Sequence, residues 1–175
     1  MLDCRLCILR PWRARDLDSL VRHANNTHVS ATLRDRFPYP YTRPAGRLWL
    51  KAALALRPVT ALAIEVDGEA VGGIGIDVGQ DVNRHAGELG YWLGEACWNR
   101  GIATAAVSGF VPWAAHTFGL QRIFAKVFET NPASARVLEK CGFEREGTLL
   151  QHALKDGILL DEWVYGLIDI GSRGL

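Results

Sequence analysis

The stretch from Gly87 to Ala106 constrains this chain more than any other. Gly87-Glu88-Leu89-Gly90-Tyr91-Trp92-Leu93-Gly94 reads as a strand. Trp98-Asn99-Arg100-Gly101-Ile102-Ala103-Thr104-Ala105-Ala106 then reads as a turn entering a helix whose first turn is built from small residues. A helix start carries unpaired N–H groups, and with only Gly101 and Ala103 in the way an anion can approach them closely. The pattern predicts a pyrophosphate seat made of main-chain amides, with Arg100 adding a cation at its rim. The same spacing also serves a strand-to-helix packing turn that holds no ligand. Neither G-x-G-x-x-G after a strand nor G-x-x-x-x-G-K-[ST] is present, which argues against a dinucleotide fold and a P-loop.

A local seat is the kind of anion site the charge balance allows. Twenty Lys and Arg against nineteen Asp and Glu leave a formal charge of +1, so nothing global draws the chain to nucleic acid or to an anionic membrane. With 175 residues, 49% of them hydrophobic, one domain spanning 1–175 is expected, able to bury its own core without disulfides or a structural metal. The longest apolar run, Ala52 to Val66, is interrupted by Arg57 and Pro58, so no membrane span is expected. The opening Met1-Leu2-Asp3-Cys4-Arg5 does not read as a signal peptide, and the cytoplasm is the expected location. Cys4 and Cys7 form the one Cys-x-x-Cys; read within a strand from Cys4 to Arg10, their thiols fall on opposite faces and are expected to be free.

Periodicity then orders the elements. After that strand comes a helix from about Ala14 to Asn25 with Leu17, Leu20, Val21 and Ala24 inward. Phe37-Pro38-Tyr39-Pro40-Tyr41-Thr42 cannot be helical, and Thr42 caps a helix running to about Arg57 with Leu48, Trp49, Ala52 and Leu56 inward. Strands Thr60 to Val66 and Ala70 to Val78 form a hairpin about Asp67-Gly68. Gly87 to Leu93 is a strand, Gly101 to Phe118 a helix, Arg122 to Phe128 a strand, and Pro132 to Cys141 a helix closed by Gly142. Strands from roughly Phe143 to Gln151 and Leu159 to Leu167 finish the chain, with Asp156-Gly157 near the turn between them. The expected fold class is α+β in three layers. It has a mixed, mostly antiparallel sheet of about seven strands, splayed in the middle and flanked by about four helices.

Gly90, in the middle of a strand, marks a place where a second backbone can approach. If the strand parts from its neighbour there, the N–H and C=O groups of Gly90 to Leu93 can pair with an extended ligand bearing amides. Pantetheine is such a ligand, and in coenzyme A it is joined to a pyrophosphate.

Together with Asn131-Pro132-Ala133-Ser134 and Val137-Leu138-Glu139-Lys140-Cys141-Gly142-Phe143, the segment Trp98-x-x-Gly101-x-Ala103-Thr104 resembles the acetyl-CoA-binding core of the GNAT superfamily of N-acetyltransferases. Pro38 to Thr42 and the Gly90 to Leu93 strand are similar to the branch of ribosomal-protein alanine N-terminal acetyltransferases, and the likeness covers nearly the whole chain. Trp98 stands where the superfamily pattern usually has Gln or Arg, a substitution common in this branch.

The resemblance implies acetyl-CoA as cofactor, held by Tyr91, Trp92, Leu93, Asn99, Arg100, Gly101, Ile102, Ala103, Thr104, Asn131 and Ser134, with no metal. It implies direct attack of an amine on the thioester. Ser134 is the candidate to protonate the leaving thiolate, and Glu88 the candidate general base acting through water; His152, Asp161 and Glu162 are alternatives. Asn131 and Ser134 equally fit a plain helix cap. Phe37, Tyr39 and Tyr41 are candidates for lining the acceptor slot, or for anchoring their loop on the core. An α-amine, with a pKa near ~8, is partly neutral at pH 7.4, whereas a lysine near ~10.4 must give up about 4 kcal/mol. The expected acceptor is therefore the N-terminal α-amine of a protein or peptide. A small-molecule amine and a non-catalytic acyl-CoA-binding module are the competing readings, and a homodimer is compatible with each.

Overall fold

Asp67 and Gly68 adopt φ of 50° and 82°, the left-handed pair that a two-residue hairpin turn demands. Asp156 and Gly157 repeat the device at 50° and 80°. Between and around these turns a computed structural model describes residues 1–168 and 170. The strands are β1 (Leu2–Asp3), β2 (Ile8–Pro11), β3 (Ala61–Val66), β4 (Glu69–Val78), β5 (Ala86–Leu93), β6 (Arg122–Phe128), β7 (Glu144–Lys155) and β8 (Ile158–Ile168). The helices are α1 (Leu17–Ala24), α2 (Thr27–Ala31), α3 (Arg43–Ala55), α4 (Ile102–Phe118) and α5 (Pro132–Lys140). The sheet runs β1-β2-β3-β4-β5-β6-β8-β7. Its β5–β6 pair is parallel, while β1–β2, β2–β3, β3–β4, β6–β8 and β7–β8 are antiparallel. Among the described residues eight strands and five α-helices thus stand where about seven and four are expected, within the same mostly antiparallel α+β class.

The chain divides into two compact units, Met1–Gly75 with Tyr91–Ala106, and Ile76–Gly90 with Val107–Leu175. In the first, the expected strand from Cys4 to Arg10 is broken. Arg5 has φ 66°, and the Cys4 N–H donates to the Cys7 carbonyl at 2.9 Å, so Cys4 to Cys7 form the turn between β1 and β2. A turn reverses the chain, so the two thiols do not fall on opposite faces but lie together, where the Cys7 side chain hydrogen-bonds Cys4 and lowers its pKa. The helix α1 buries Leu20 and Ala24 as its stripe predicts. The helix α2 is an addition in a region that reads as broken, and it forms because the Asn26 side chain accepts from the N–H groups of His28 and Val29.

The inward face of α3 differs from the expected one. Gly46, Leu50 and Ala53 are buried, with Trp49 half-buried, whereas Leu48 is 73% exposed. The residue that turns the helix is Gly46. A Cβ there would lie 2.9 Å from Leu17 Cδ1 and 3.1 Å from Val21 Cγ2, so any larger residue would oblige these α1 side chains to shift. Trp12, Tyr41 and Leu50 close this core, Trp12 standing edge-on to Trp49 with centroids 4.8 Å apart.

In the second unit β6 pairs with β8 along its whole length, from Arg122↔Ile168 to Phe128↔Glu162. The β5–β6 pairing covers only Ala86↔Arg122, Gly87↔Ile123 and Glu88↔Phe124. Among the described residues it stops there, two residues before Gly90. Directly paired residues share a face, which puts Glu88, Phe124, Phe128 and Glu162 on one side of the sheet. Helix α5 covers the other side, where the Tyr165 hydroxyl donates to Glu139 Oε1 at 2.9 Å. Residues 169 and 171–175 of the expected 1–175 domain lie outside the described residues.

Candidate active site

The turn leaving β5 is held on both sides before it reaches the helix. A Cβ at Gly94 would strike the His23 ring at 2.5 Å, and His23 Nε2 is itself 2.8 Å from Glu69 Oε1. Glu95 accepts from Asn26 Nδ2 at 2.6 Å and lies 2.7 Å from His28 Nδ1; these contacts hold its carboxyl below the usual range. Nothing in the residue pattern announces this anchor, since its partners are about seventy positions apart. The Trp98 indole N–H donates to the Leu93 carbonyl at 2.7 Å, so the residue that departs from the family pattern ties the strand end to the turn.

Asn99 and Gly101 then take φ of 58° and 76°. Left-handed residues alternating with ordinary ones turn successive N–H groups inward, the geometry of an anion-binding nest, and α4 begins at the next residue. A Cβ at Gly101 would meet one neighbour, Leu6 Cδ1 at 3.3 Å. Asn99 and Arg100 are exposed, Ile102 is buried as a core anchor, and Ala103 and Thr104 are half-buried. Main-chain donors and small side chains therefore meet at one helix start and suit a pyrophosphate, while the Arg100 side chain beside them hydrogen-bonds Cys97.

Gly90 is exposed in the middle of β5, and a side chain there would meet nothing within 4 Å. Glu88 is the last residue of β5 paired to β6 and is half-buried. Beyond it, Trp92 turns its indole into the core, its ring centroid 5.2 Å from that of Phe37. Phe37 in turn lies 4.9 Å from Tyr41. Tyr41 is only 3% exposed, and burial pushes its hydroxyl up to about 12. Tyr39 is 54% exposed and takes no part in this cluster. The structure thus brings Phe37, Tyr41 and Trp92 together and leaves Tyr39 apart.

At the carboxyl end of β6 the Asn131 side chain accepts from the Ser134 N–H at 3.2 Å and caps α5, with Pro132 in the first turn. Both residues are half-buried. The cap occupies Asn131 Oδ1, while its amide nitrogen has no partner among the described residues. Glu162 is buried on β8 opposite Phe128, and His152 Nδ1 is 2.5 Å from Glu162 Oε2. Among the described residues no cluster of His, Cys, Asp and Glu is built to hold a metal, and no helix is long and apolar enough to cross a membrane.

Residues 6–144 match the family model described as an acetyltransferase (GNAT) domain. The L-amino acid N-acetyltransferase AaaT of Escherichia coli K12 is 33% identical over 89% of this chain and 94% of its own length. YoaA of Bacillus subtilis, described as an N-acetyltransferase, is 37% identical over 57% of this chain and 56% of its own, so the match spans about half of YoaA. The structure of Mycobacterium smegmatis RimJ in complex with CoA-disulfide is similar with a TM-score of 0.82 and 27% identity, over 99% of this chain and 87% of that one.

Proposed function

The chain belongs to the GNAT acetyltransferase family, and from that premise we propose that it acetylates the N-terminal α-amine of a peptide or protein. It is an N-acetyltransferase that uses acetyl-CoA, which when bound supplies an acetyl group activated as a thioester. The acceptor reading is carried by the branch resemblance of Pro38 to Thr42 and Gly90 to Leu93, while the likeness to RimJ, solved with CoA-disulfide, over 99% of the chain supports the cofactor.

The proposed division of labour follows the local chemistry. The helix start at Arg100 to Thr104 takes the pyrophosphate through main-chain amides, with Arg100 adding charge. The exposed main chain of β5 beyond Glu88, free of bulk at Gly90, takes the pantetheine amides. Ser134, in the first turn of α5, donates its hydroxyl proton toward the leaving sulfur. Glu88, half-buried where β5 and β6 stop pairing, draws in the cationic acceptor and orients it.

Glu88→Gln is accordingly expected to raise the KM for the amine about tenfold, the equivalent of about 1.4 kcal/mol, with a smaller change in kcat. Steady-state kinetics at saturating acetyl-CoA check this, and an unchanged KM would remove Glu88 from the acceptor site.

A second reading, acetylation of free L-amino acids, is favoured by the likeness to AaaT over most of both chains. The two acceptors share an α-amine and differ at the carbonyl end, which is a peptide bond in one and a carboxylate in the other. Coenzyme A release measured with alanine-initiated peptides, with the free amino acids and with a diamine decides between them. A kcat/KM for peptides at least tenfold above that for every free amino acid supports the first reading. The reverse order supports the second, and release with the diamine alone would refute both.

A further inference from the structure

We propose that His152, held by Glu162, is the base that takes the proton from the acceptor ammonium. The proposal rests on the α-amine reading above and gives the base step, for which the sequence offers Glu88 first and His152 as an alternative, to His152.

The first observation is a bulge built into β7. Its pairing with β8 passes from Leu149↔Glu162 to Ala153↔Leu160, so Leu150, Gln151 and His152 stand against Asp161 alone. Gln151 adopts φ 48°, which a non-glycine residue takes up only when its surroundings hold it there. They do so here. The Gln151 N–H donates to Asp161 Oδ1 at 2.7 Å. Asp161 is fixed in turn by Glu129, whose N–H donates to the Asp161 carbonyl at 3.0 Å and whose Oε1 accepts from the Asp161 N–H at 3.0 Å. Bulges re-aim side chains and recur beside active sites.

What the bulge re-aims is His152. Its Nδ1 lies 2.5 Å from Glu162 Oε2, with the Glu162 side chain 8% exposed and that of His152 50% exposed. A carboxylate taken out of water needs a partner, and His152 is the one Glu162 has among the described residues. An ordinary solvated ion pair would leave both ends wet; this one is dry at the carboxylate and open at the ring. With Nδ1–H donating to Glu162, the imidazole is fixed in the tautomer whose Nε2 carries the lone pair.

Position makes that lone pair useful. In open sheets ligands bind outside the carboxyl ends of parallel strands that part, and β5 and β6 are such a pair. Glu162 faces Phe128, the last residue of β6, and three residues later Asn131 caps the helix that carries Ser134. The register also puts Glu88 of β5 and Arg122 and Lys126 of β6 on the Glu162 side of the sheet.

The step balances. His152 Nε2 removes one proton from R–NH3⁺, and the imidazolium stays paired with the Glu162 carboxylate. The amine lone pair forms the N–C bond while the C–S bond breaks. The second nitrogen proton replaces the one that Ser134 gives to sulfur, and the imidazolium releases its proton to water.

His152→Ala is expected to lower kcat about 100-fold with the KM for acetyl-CoA unchanged, and added imidazole should restore activity on the order of tenfold. Glu162→Gln, which keeps size and a hydrogen bond, is expected to lower kcat without lowering Tm. In the double variant imidazole should rescue nothing, because the rescuer needs the carboxylate. A His152→Ala enzyme as active as the parent, or a loss that imidazole does not relieve while Glu162 is intact, overturns the proposal. A parent enzyme that releases no thiol with any α-amine would instead refute the acceptor reading.

Discussion

Asp16→Ala is expected to lower the free energy of unfolding by about 3–5 kcal/mol, a large share of the roughly 5–15 kcal/mol a domain possesses. Arg10 is 1% exposed and, by volume, is among the largest fully buried side chains. Asp16 meets it with both oxygens, accepting from Nη1 at 2.7 Å and Nη2 at 2.9 Å, while Glu65 accepts from Nε. Burial opposes the guanidinium charge, but the two carboxylates outweigh it and raise the Arg10 pKa. Removing Asp16 leaves two N–H groups of a buried cation without partners and also frees the Arg13 N–H, which donates to Asp16 Oδ2 at 2.8 Å. The loss comes from the stranded charge more than from the bond itself. Replacing both ends, Arg10→Met with Asp16→Leu, should therefore cost less than Asp16→Ala alone. Urea denaturation of the two variants checks this, and a single-variant loss below about 1 kcal/mol would show that water reaches Arg10.

The sequence carries the elements better than it carries this triad. Strand β6 falls at Arg122–Phe128 as alternation predicts, and both Asp-Gly turns lie where residue type alone places them, because each depends on neighbours one or two positions away. The inward face of α3 was not legible. Leu48 looks more apolar than Gly46, and what decides the rotation is the approach of α1, from a segment about thirty residues earlier. The Cys4 to Cys7 turn hides inside an apolar run for a similar reason, since Arg5 in a left-handed conformation leaves no trace in composition. Arg10 and Glu65 stand 55 positions apart, so nothing local shows that the fold brings them together.

The candidate site divides along the same line. Gly101 and Ala103 announce a helix start open to an anion, and the Asn131-Pro132 pair announces a cap; both are local signals. The β7 bulge and the burial of Glu162 are not local, because they depend on which residues of β8 and β6 come to lie opposite. His152 and Glu162 are named from the sequence as separate alternatives for the base, but their 2.5 Å contact is not legible there.

Gly101→Asp is expected to weaken coenzyme A binding about 100-fold while leaving the protein folded. The backbone there has φ 76°, and forcing an L residue into that region takes roughly 1–2 kcal/mol. Aspartate adopts it more readily than most, and the one neighbour its Cβ would meet, Leu6 Cδ1 at 3.3 Å, is the end of a flexible side chain. A negative charge at a helix start is by itself stabilising, which offsets part of the strain. For the same reason the substitution competes with the ligand: the carboxylate occupies the positive end of α4, where the pyrophosphate is proposed to sit. Two unit charges about 5 Å apart repel by about 3 kcal/mol at an effective dielectric of 20, and about 2.7 kcal/mol corresponds to a hundredfold in Kd. Arg100→Ala, which removes a cation from the exposed rim together with its hydrogen bond to Cys97, should weaken binding about tenfold. Calorimetric titration with coenzyme A measures both, and acetylated pantetheine supplies the control because it lacks the pyrophosphate. Its turnover should be the same in Gly101→Asp and the parent. Equal losses for the whole cofactor and for the fragment would mean that Gly101 shapes the fold of the turn rather than the anion seat, and unchanged affinity for coenzyme A would move the pyrophosphate away from α4 altogether.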